Sequence, residues 1–145
     1  MFGLFKKRAA EPPARLVQQW ADLCAAQFDA RNPKRALERC GIALRVARRA
    51  AKAAGEPVAG SFDAMKQRIE IVGCDDAHSD EEIVGTLARE LYFAMAAARA
   101  RVAGNAASTH PGAEHAARAF ASAWLRQLEP TDVRCCAKAL RAAAK

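Results

Sequence analysis

The sequence predicts an all-α protein, a compact bundle of five or six helices that opens with an antiparallel helical hairpin. Ala is used well above its average frequency, and Ala favours helix more than any other residue. Apolar residues recur three and four positions apart along most of the chain. Pro, Asn and Ser stand where helices commonly begin. The length of 145 residues fits one domain, which we expect over 13–145, after a flexible tip at 1–12.

The first predicted helix begins at Pro12 and Pro13, because the first turn of a helix tolerates a residue without an N–H. One apolar stripe follows, with spacings of three and four residues. Its members are Leu16, Trp20, Leu23, Cys24 and Phe28. This stripe predicts a helix that buries one side.

The second predicted helix covers 34–54, with Asn32 as its cap and Pro33 in its first position. A short connection predicts that it pairs with the first helix as a hairpin over 13–54. On a helical wheel the cations gather on one side, with Leu37, Cys40, Leu44, Ala47 and Ala51 opposite them. The wheel therefore predicts a basic helical face that points to solvent.

A linker, GEPVAGS, separates the hairpin from a charge-balanced part at 61–145. Phe62, Met65, Ile69 and Val72 predict a short helix that ends at Gly73. The alternation in RIEIV, residues 68–72, also fits a strand. We prefer the helix because a lone strand has no evident partner in this sequence.

Three further helices complete the predicted bundle. The fourth begins at Ser79, which forms a capping box with Glu82, and runs to about Val102. The fifth begins near the sequence THPG, residues 109–112, and Pro130 separates it from the sixth. The expected inward residues of the fourth helix are Val84, Leu87, Leu91, Met95 and Ala98. Those of the fifth helix are Ala113, Ala117, Phe120, Trp124 and Leu128. Those of the sixth helix are Val133, Cys136, Ala137 and Leu140.

The net charge of +7 is unevenly distributed. Residues 1–60 contain 12 Lys or Arg and 5 Asp or Glu, whereas residues 61–145 contain 11 of each kind. The whole excess of positive charge therefore lies in the first 60 residues. Such asymmetry predicts a polyanionic partner.

Known catalytic and metal-binding patterns are not found in the sequence. The five cysteines form no CxxC pair, and their odd number argues against a disulfide framework and for a reducing cytoplasm. The segment from Cys74 to Glu82, CDDAHSDEE, offers potential ligands, but helix capping explains its acids, and ion binding there is left open. We therefore expect no enzyme, no metal site, no cofactor and no small-molecule substrate.

The leading functional prediction is a non-enzymatic accessory protein whose basic hairpin binds a polyanion. Nucleic acid, specifically DNA, ranks first, and binding should be nearly independent of base sequence because the basic face lacks residues that read bases. The residues expected to contact the polyanion are Lys34, Arg35, Arg45, Arg48, Arg49 and Lys52.

The alternative prediction is a protein-binding adaptor or chaperone, with a protein partner or self-association. Its tip would attach it peripherally to a membrane, through three large apolar residues beside three cations. These residues are Phe2, Leu4, Phe5, Lys6, Lys7 and Arg8. The sequence has neither the pattern of a signal peptide nor an apolar run long enough to span a bilayer.

The start MFGLFKKR, the Ala- and Arg-rich helices and the small size together resemble accessory proteins encoded in the transfer regions of conjugative plasmids from GC-rich bacteria. This resemblance implies a bacterial helper of DNA transfer, located in the cytoplasm or peripherally at the inner membrane.

Overall fold

Five helices and three strands make up the described part of the computed structural model, which comprises residues 14–48, 56–102, 104 and 112–144. The elements are α1 (Ala14–Gln27), α2 (Pro33–Arg39), β1 (Ala43–Ala47), β2 (Ala59–Asp63), β3 (Arg68–Val72), α3 (Asp80–Val102), α4 (Ala113–Gln127) and α5 (Pro130–Ala143). The prediction of an all-α bundle is therefore wrong. The fold is mixed, with helices outnumbering strands.

The second predicted helix is the first source of this error, because α2 ends at Arg39 rather than near residue 54. Asn32 caps α2 as predicted, its side-chain oxygen accepting from the Arg35 N–H at 3.3 Å. Gly41 then adopts φ +76°, a left-handed conformation that ends helices and favours glycine. The next residues form β1, so the described residues do not form the predicted helical hairpin, and α2 packs on β1 and α5.

The three strands form one mixed sheet in the order β1-β3-β2. β2 and β3 are an antiparallel hairpin, and β1 lies parallel to β3 with Val46 opposite Ile71. The alternation in RIEIV therefore belongs to a strand, and the short helix predicted over Phe62–Val72 is wrong. Ile69 and Ile71 are fully buried, because the alternate residues of β3 face the helices.

The helices cover one face of the sheet. α3 packs on β2 and β3, and α5 packs on β1. α4 packs on α3 and on α1, forming the layer farther from the sheet. Aromatic contacts join these layers: the Trp20 and Tyr92 ring centroids are 5.8 Å apart, and those of Phe28 and Trp124 are 5.3 Å apart.

The predictions for α3, α4 and α5 are confirmed in extent and in most of their inward residues. Leu87, Phe120, Trp124 and Leu140 are each fully buried. α1 is also confirmed as a helix, but Leu23 of its predicted stripe is 54% exposed. Among the described residues, no helix combines the length and the apolar character needed to cross a membrane.

Candidate functional site

The short helix α2 presents its cations to solvent because its apolar residues face inward. Ala36 and Leu37 are buried against the rest of the protein. Lys34, Arg35 and Arg39 are exposed on the opposite side. Two turns of helix are enough to separate these sides, since residues three and four apart share a face.

Strand β1 adds cations to the same region through its alternation. Val46 is buried toward the helices, whereas Arg45 is exposed on the other face of the sheet. Arg48, which directly follows β1, is exposed as well. We call the five exposed cations of α2, of β1 and of the residue after β1 the basic surface; its members are Lys34, Arg35, Arg39, Arg45 and Arg48.

A groove of about 310 Å³ runs along β1 within this basic surface. Among the described residues, the charged ones that line it are Lys34 from α2 and Arg45 from β1, and both are cationic. The remaining lining residues are Leu44, Val46, Ala47 and Ala143, all apolar. The groove therefore combines apolar walls with positive charge, and none of the described residues that line it is acidic.

The cations of the basic surface make no ion pair with any residue in the described ranges. Arg45 lies opposite Glu70 in the register of β1 and β3, but the Glu70 carboxylate accepts from Arg68 at 3.1 Å. Arg31, just before α2, differs, because its Nε lies 3.2 Å from the Asp132 carboxylate. The basic surface thus offers positive charge that its described neighbours do not neutralise.

The predicted polyanion-binding residues are partly brought together by this arrangement. Lys34 and Arg45 line one groove, Arg35 lies on α2 and Arg48 directly follows β1. They do not form one helical face, because α2 ends before Arg45. Arg49 and Lys52 lie outside the described residues, as do all six predicted tip residues: Phe2, Leu4, Phe5, Lys6, Lys7 and Arg8.

A second charged cluster joins α3 to α4, and the sequence analysis did not identify it. Arg89 donates from Nε and Nη2 to the two oxygens of Glu114, at 2.7 and 2.6 Å, and from Nη1 to Glu90. Glu90 is only 2% exposed. Its burial could have been inferred from spacing, because Glu90 lies three residues after Leu87 and four before Ala94, both buried.

The two carboxylates of this cluster have opposite pKa shifts. Burial raises the pKa of Glu90 above its ordinary value, and the nearby Arg89 offsets this only in part. The hydrogen bonds from Arg89 lower the pKa of Glu114. Each acid has the same arginine partner, so the cluster is explained as a link between two helices.

The segment from Cys74 to Glu82 is a braced loop between β3 and α3. The His78 ring lies between two carboxylates, with Nδ1 3.2 Å from Glu82 and Nε2 3.7 Å from Asp75. Arg141 of α5 donates to the His78 backbone oxygen at 2.8 Å and pairs with Asp80 at 2.7 Å.

Ligands in this loop do not converge on one point, because the carboxylates approach opposite nitrogens of the ring. No group of three metal-ligating side chains occurs in the part of the chain that the structure describes. The predicted capping box is half formed: the Glu82 N–H donates to Ser79 Oγ at 3.1 Å, while the Glu82 carboxylate accepts from the Val58 N–H at 3.3 Å. This carboxylate therefore ties the start of α3 to the residue before β2.

All five cysteines are free thiols. Burial raises the pKa of Cys24 and of Cys136 to about 12, and that of Cys74 to about 11. These three side chains are therefore protonated near neutral pH, whereas nucleophilic and metal-binding cysteines act as thiolates.

No known protein family, curated protein or solved structure matches this chain.

Proposed function

We propose that the protein is a non-enzymatic accessory protein that binds an anionic macromolecule through the basic surface. The observation that carries the proposal is the groove along β1, where the charged residues among the described lining, Lys34 and Arg45, are both cationic. Nucleic acids and acidic proteins share a row of closely spaced anionic groups, and the basic surface complements that chemistry.

The state of the cations supports a binding role over a structural one. An arginine that holds a fold together has its donors on carboxylates, as Arg89 does. The basic surface instead keeps five cations exposed along 15 residues of chain, with Glu38 as the single acid between Lys34 and Arg48. Mutual repulsion among these cations is relieved when an anionic partner binds.

Nucleic acid, and DNA in particular, remains a candidate partner, because five cations could contact successive phosphates and release counterions. A role in conjugative DNA transfer and attachment to a membrane through residues 1–8 also stay predictions.

The test is a titration of fluorescently labelled heparin oligosaccharide and labelled duplex DNA at several salt concentrations, followed by anisotropy. We expect binding that weakens steeply with salt, because each neutralised anion releases counterions. The double variant Lys34→Glu/Arg45→Glu should bind at least about tenfold more weakly, with a salt slope smaller by about two contacts.

A matched control separates location from net charge. Arg126 and Lys138 are exposed on α4 and α5 and belong to no ion pair among the described residues. Arg126→Glu/Lys138→Glu changes the net charge by the same amount and should leave binding nearly unchanged. Equal weakening by the two double variants would assign binding to net charge rather than to the basic surface. No binding of either probe at low salt would reject the function.

A further inference from the structure

Strand β1 is an edge strand among the elements that the structure describes, because the order of the sheet is β1-β3-β2. An edge strand has one side without a neighbouring strand, and its peptide groups on that side can pair with another chain. The groove described above lies along β1. At this edge, peptide groups that can hydrogen-bond to another chain therefore lie beside the basic surface.

The hydrogen bonds at the two ends of β1 show which of its peptide groups face outward. The Ala43 N–H donates to the Gln67 oxygen at 2.9 Å, and the Ala47 oxygen accepts from the Gly73 N–H at 2.9 Å. In a strand, the peptide groups of successive residues point to opposite sides in the plane of the sheet. The N–H and C=O groups of Ala43, Arg45 and Ala47 therefore form the hydrogen bonds to β3. The N–H and C=O groups of Leu44 and Val46 thus point away from β3, and they have no hydrogen bond to any residue in 14–48, 56–102 or 112–144.

We propose that an extended, acidic segment of a partner protein adds to β1 as a fourth strand of the sheet. The Leu44 and Val46 peptide groups would pair with its backbone, and its carboxylates would meet Lys34 and Arg45. This inference rests on the proposed function and names the class of its ligand. Strand addition of this kind takes its affinity from main-chain hydrogen bonds and its selectivity from alternate side chains.

The hydrogen-bonding groups along the outer edge of β1 favour a peptide over a nucleic acid as the partner. Each outward peptide group offers a carbonyl acceptor next to its N–H donor. A phosphate has acceptors only, so it would satisfy the N–H groups and oppose the carbonyl oxygens. A peptide strand carries both donors and acceptors at the matching spacing.

The charge of the edge also argues against a second copy of this chain as the occupant. Antiparallel pairing of β1 with its own copy about the centre of the strand would place the two Arg45 residues opposite each other. Lys34 would add further positive charge, since it lines the same groove. An acidic strand has complementary charge at both positions.

The first test uses a labelled eight-residue peptide in which Glu and Val alternate, together with two forms methylated on the backbone nitrogens of either the Glu or the Val residues. A strand bound through one edge uses only alternate N–H groups. One methylated form should therefore bind at least roughly tenfold more weakly, while the other binds within about twofold of the unmodified peptide. A peptide with Lys in place of Glu should not bind.

Hydrogen exchange of the whole chain gives a second, direct measurement. The unmodified peptide should slow exchange of the Leu44 and Val46 amides, because these N–H groups gain partners. The Arg45 amide, which already faces β3, should change little. Unchanged exchange at Leu44 and Val46 in the presence of bound peptide would overturn strand addition.

The outcomes separate this inference from the proposed function. Binding of heparin and duplex DNA without binding of the peptide would overturn strand addition and leave polyanion binding in place, with DNA as the partner. Equal binding, or equal loss, by the two methylated forms would likewise reject strand addition. Binding of neither heparin nor peptide would reject both proposals.

Discussion

Arg45 and Arg89 each lie beside a glutamate, and their surroundings give them different roles. Arg89 uses three of its nitrogens on Glu90 and Glu114, and it joins two helices. Arg45 faces Glu70 across the sheet, but that carboxylate is taken by Arg68. Pairing with carboxylates, rather than the number of cations, therefore distinguishes the structural arginine of the buried cluster from the candidate binding arginine of the basic surface.

Removing the shared arginine should have the largest effect on stability. Arg89→Met leaves Glu90 buried without its partner, which costs about 3 kcal/mol in the free energy of unfolding. Urea denaturation measures the loss. Arg118→Met is the matched control, since Arg118 is 78% exposed and lies 3.8 Å from Glu114; it should cost less than about 0.5 kcal/mol. Equal small losses would contradict the structural role of the buried cluster.

A substitution at the close contact between α3 and β2 should have the next largest effect on stability. A Cβ at position 60 would lie 2.8 Å from Thr86 Cγ2 and 2.9 Å from Glu90 Cγ, so Gly60→Ala should destabilise the fold by about 1–3 kcal/mol. Gly85, within α3, has room for a Cβ, because that atom would lie 3.5 Å from Leu125 Cδ1. Gly85→Ala should therefore stabilise, by up to about 1 kcal/mol. Thermal unfolding of the two variants should shift in opposite directions, and a neutral Gly60→Ala would contradict the close approach.

The smallest expected effect is on the pH dependence of stability. Glu114 has a lowered pKa in the folded protein, so its contribution is present above the ordinary value of 4.5 and is lost as the pH falls through the folded pKa. Glu114→Gln should reduce the loss of unfolding free energy on acidification, measured by urea denaturation from about pH 6 to pH 3.

Glu90 provides the control of opposite sign. Its pKa is raised, so the folded protein holds the proton more tightly and stability falls as the pH rises from the unfolded pKa toward the folded one. Glu90→Gln should remove that fall while keeping the acid-side loss. The same pH profile in both variants would contradict the opposite pKa shifts.

The helices that pack along their whole length were predictable from the sequence. The repeated apolar spacing of α3, α4 and α5 matches their buried faces, and Asn32 and Pro130 mark helix starts. The sheet was not predicted, because a helical wheel also accommodates the residues of β1. RIEIV pairs on one side with β2, which directly precedes it as the first strand of a hairpin, and on the other side with the parallel strand β1. β1 lies more than 20 residues away in sequence, and a local pattern does not indicate a pairing over that distance.

The charge of the candidate site was visible in the sequence, whereas its geometry was not. The excess of cations between Lys34 and Arg48 is a property of composition. That Lys34 and Arg45 share a groove depends on Gly41, which ends α2 and turns the chain into β1. Glycine at this position, followed by the alternating residues IALRVA, was the overlooked signal.

The hydrogen bonds from Arg141 to the loop before α3 affect the order in which the protein can fold during synthesis on the ribosome. The contacts of Arg141 with the Asp75 and His78 backbone oxygens join positions 66 and 63 residues apart. Because a chain emerges from its amino-terminal side, α1 to α4 become available to fold while the partner of this loop is still missing. α5 supplies both the Arg141 contacts and the cover over the inner side of β1, so the sheet completes its core only after α5 has been synthesised.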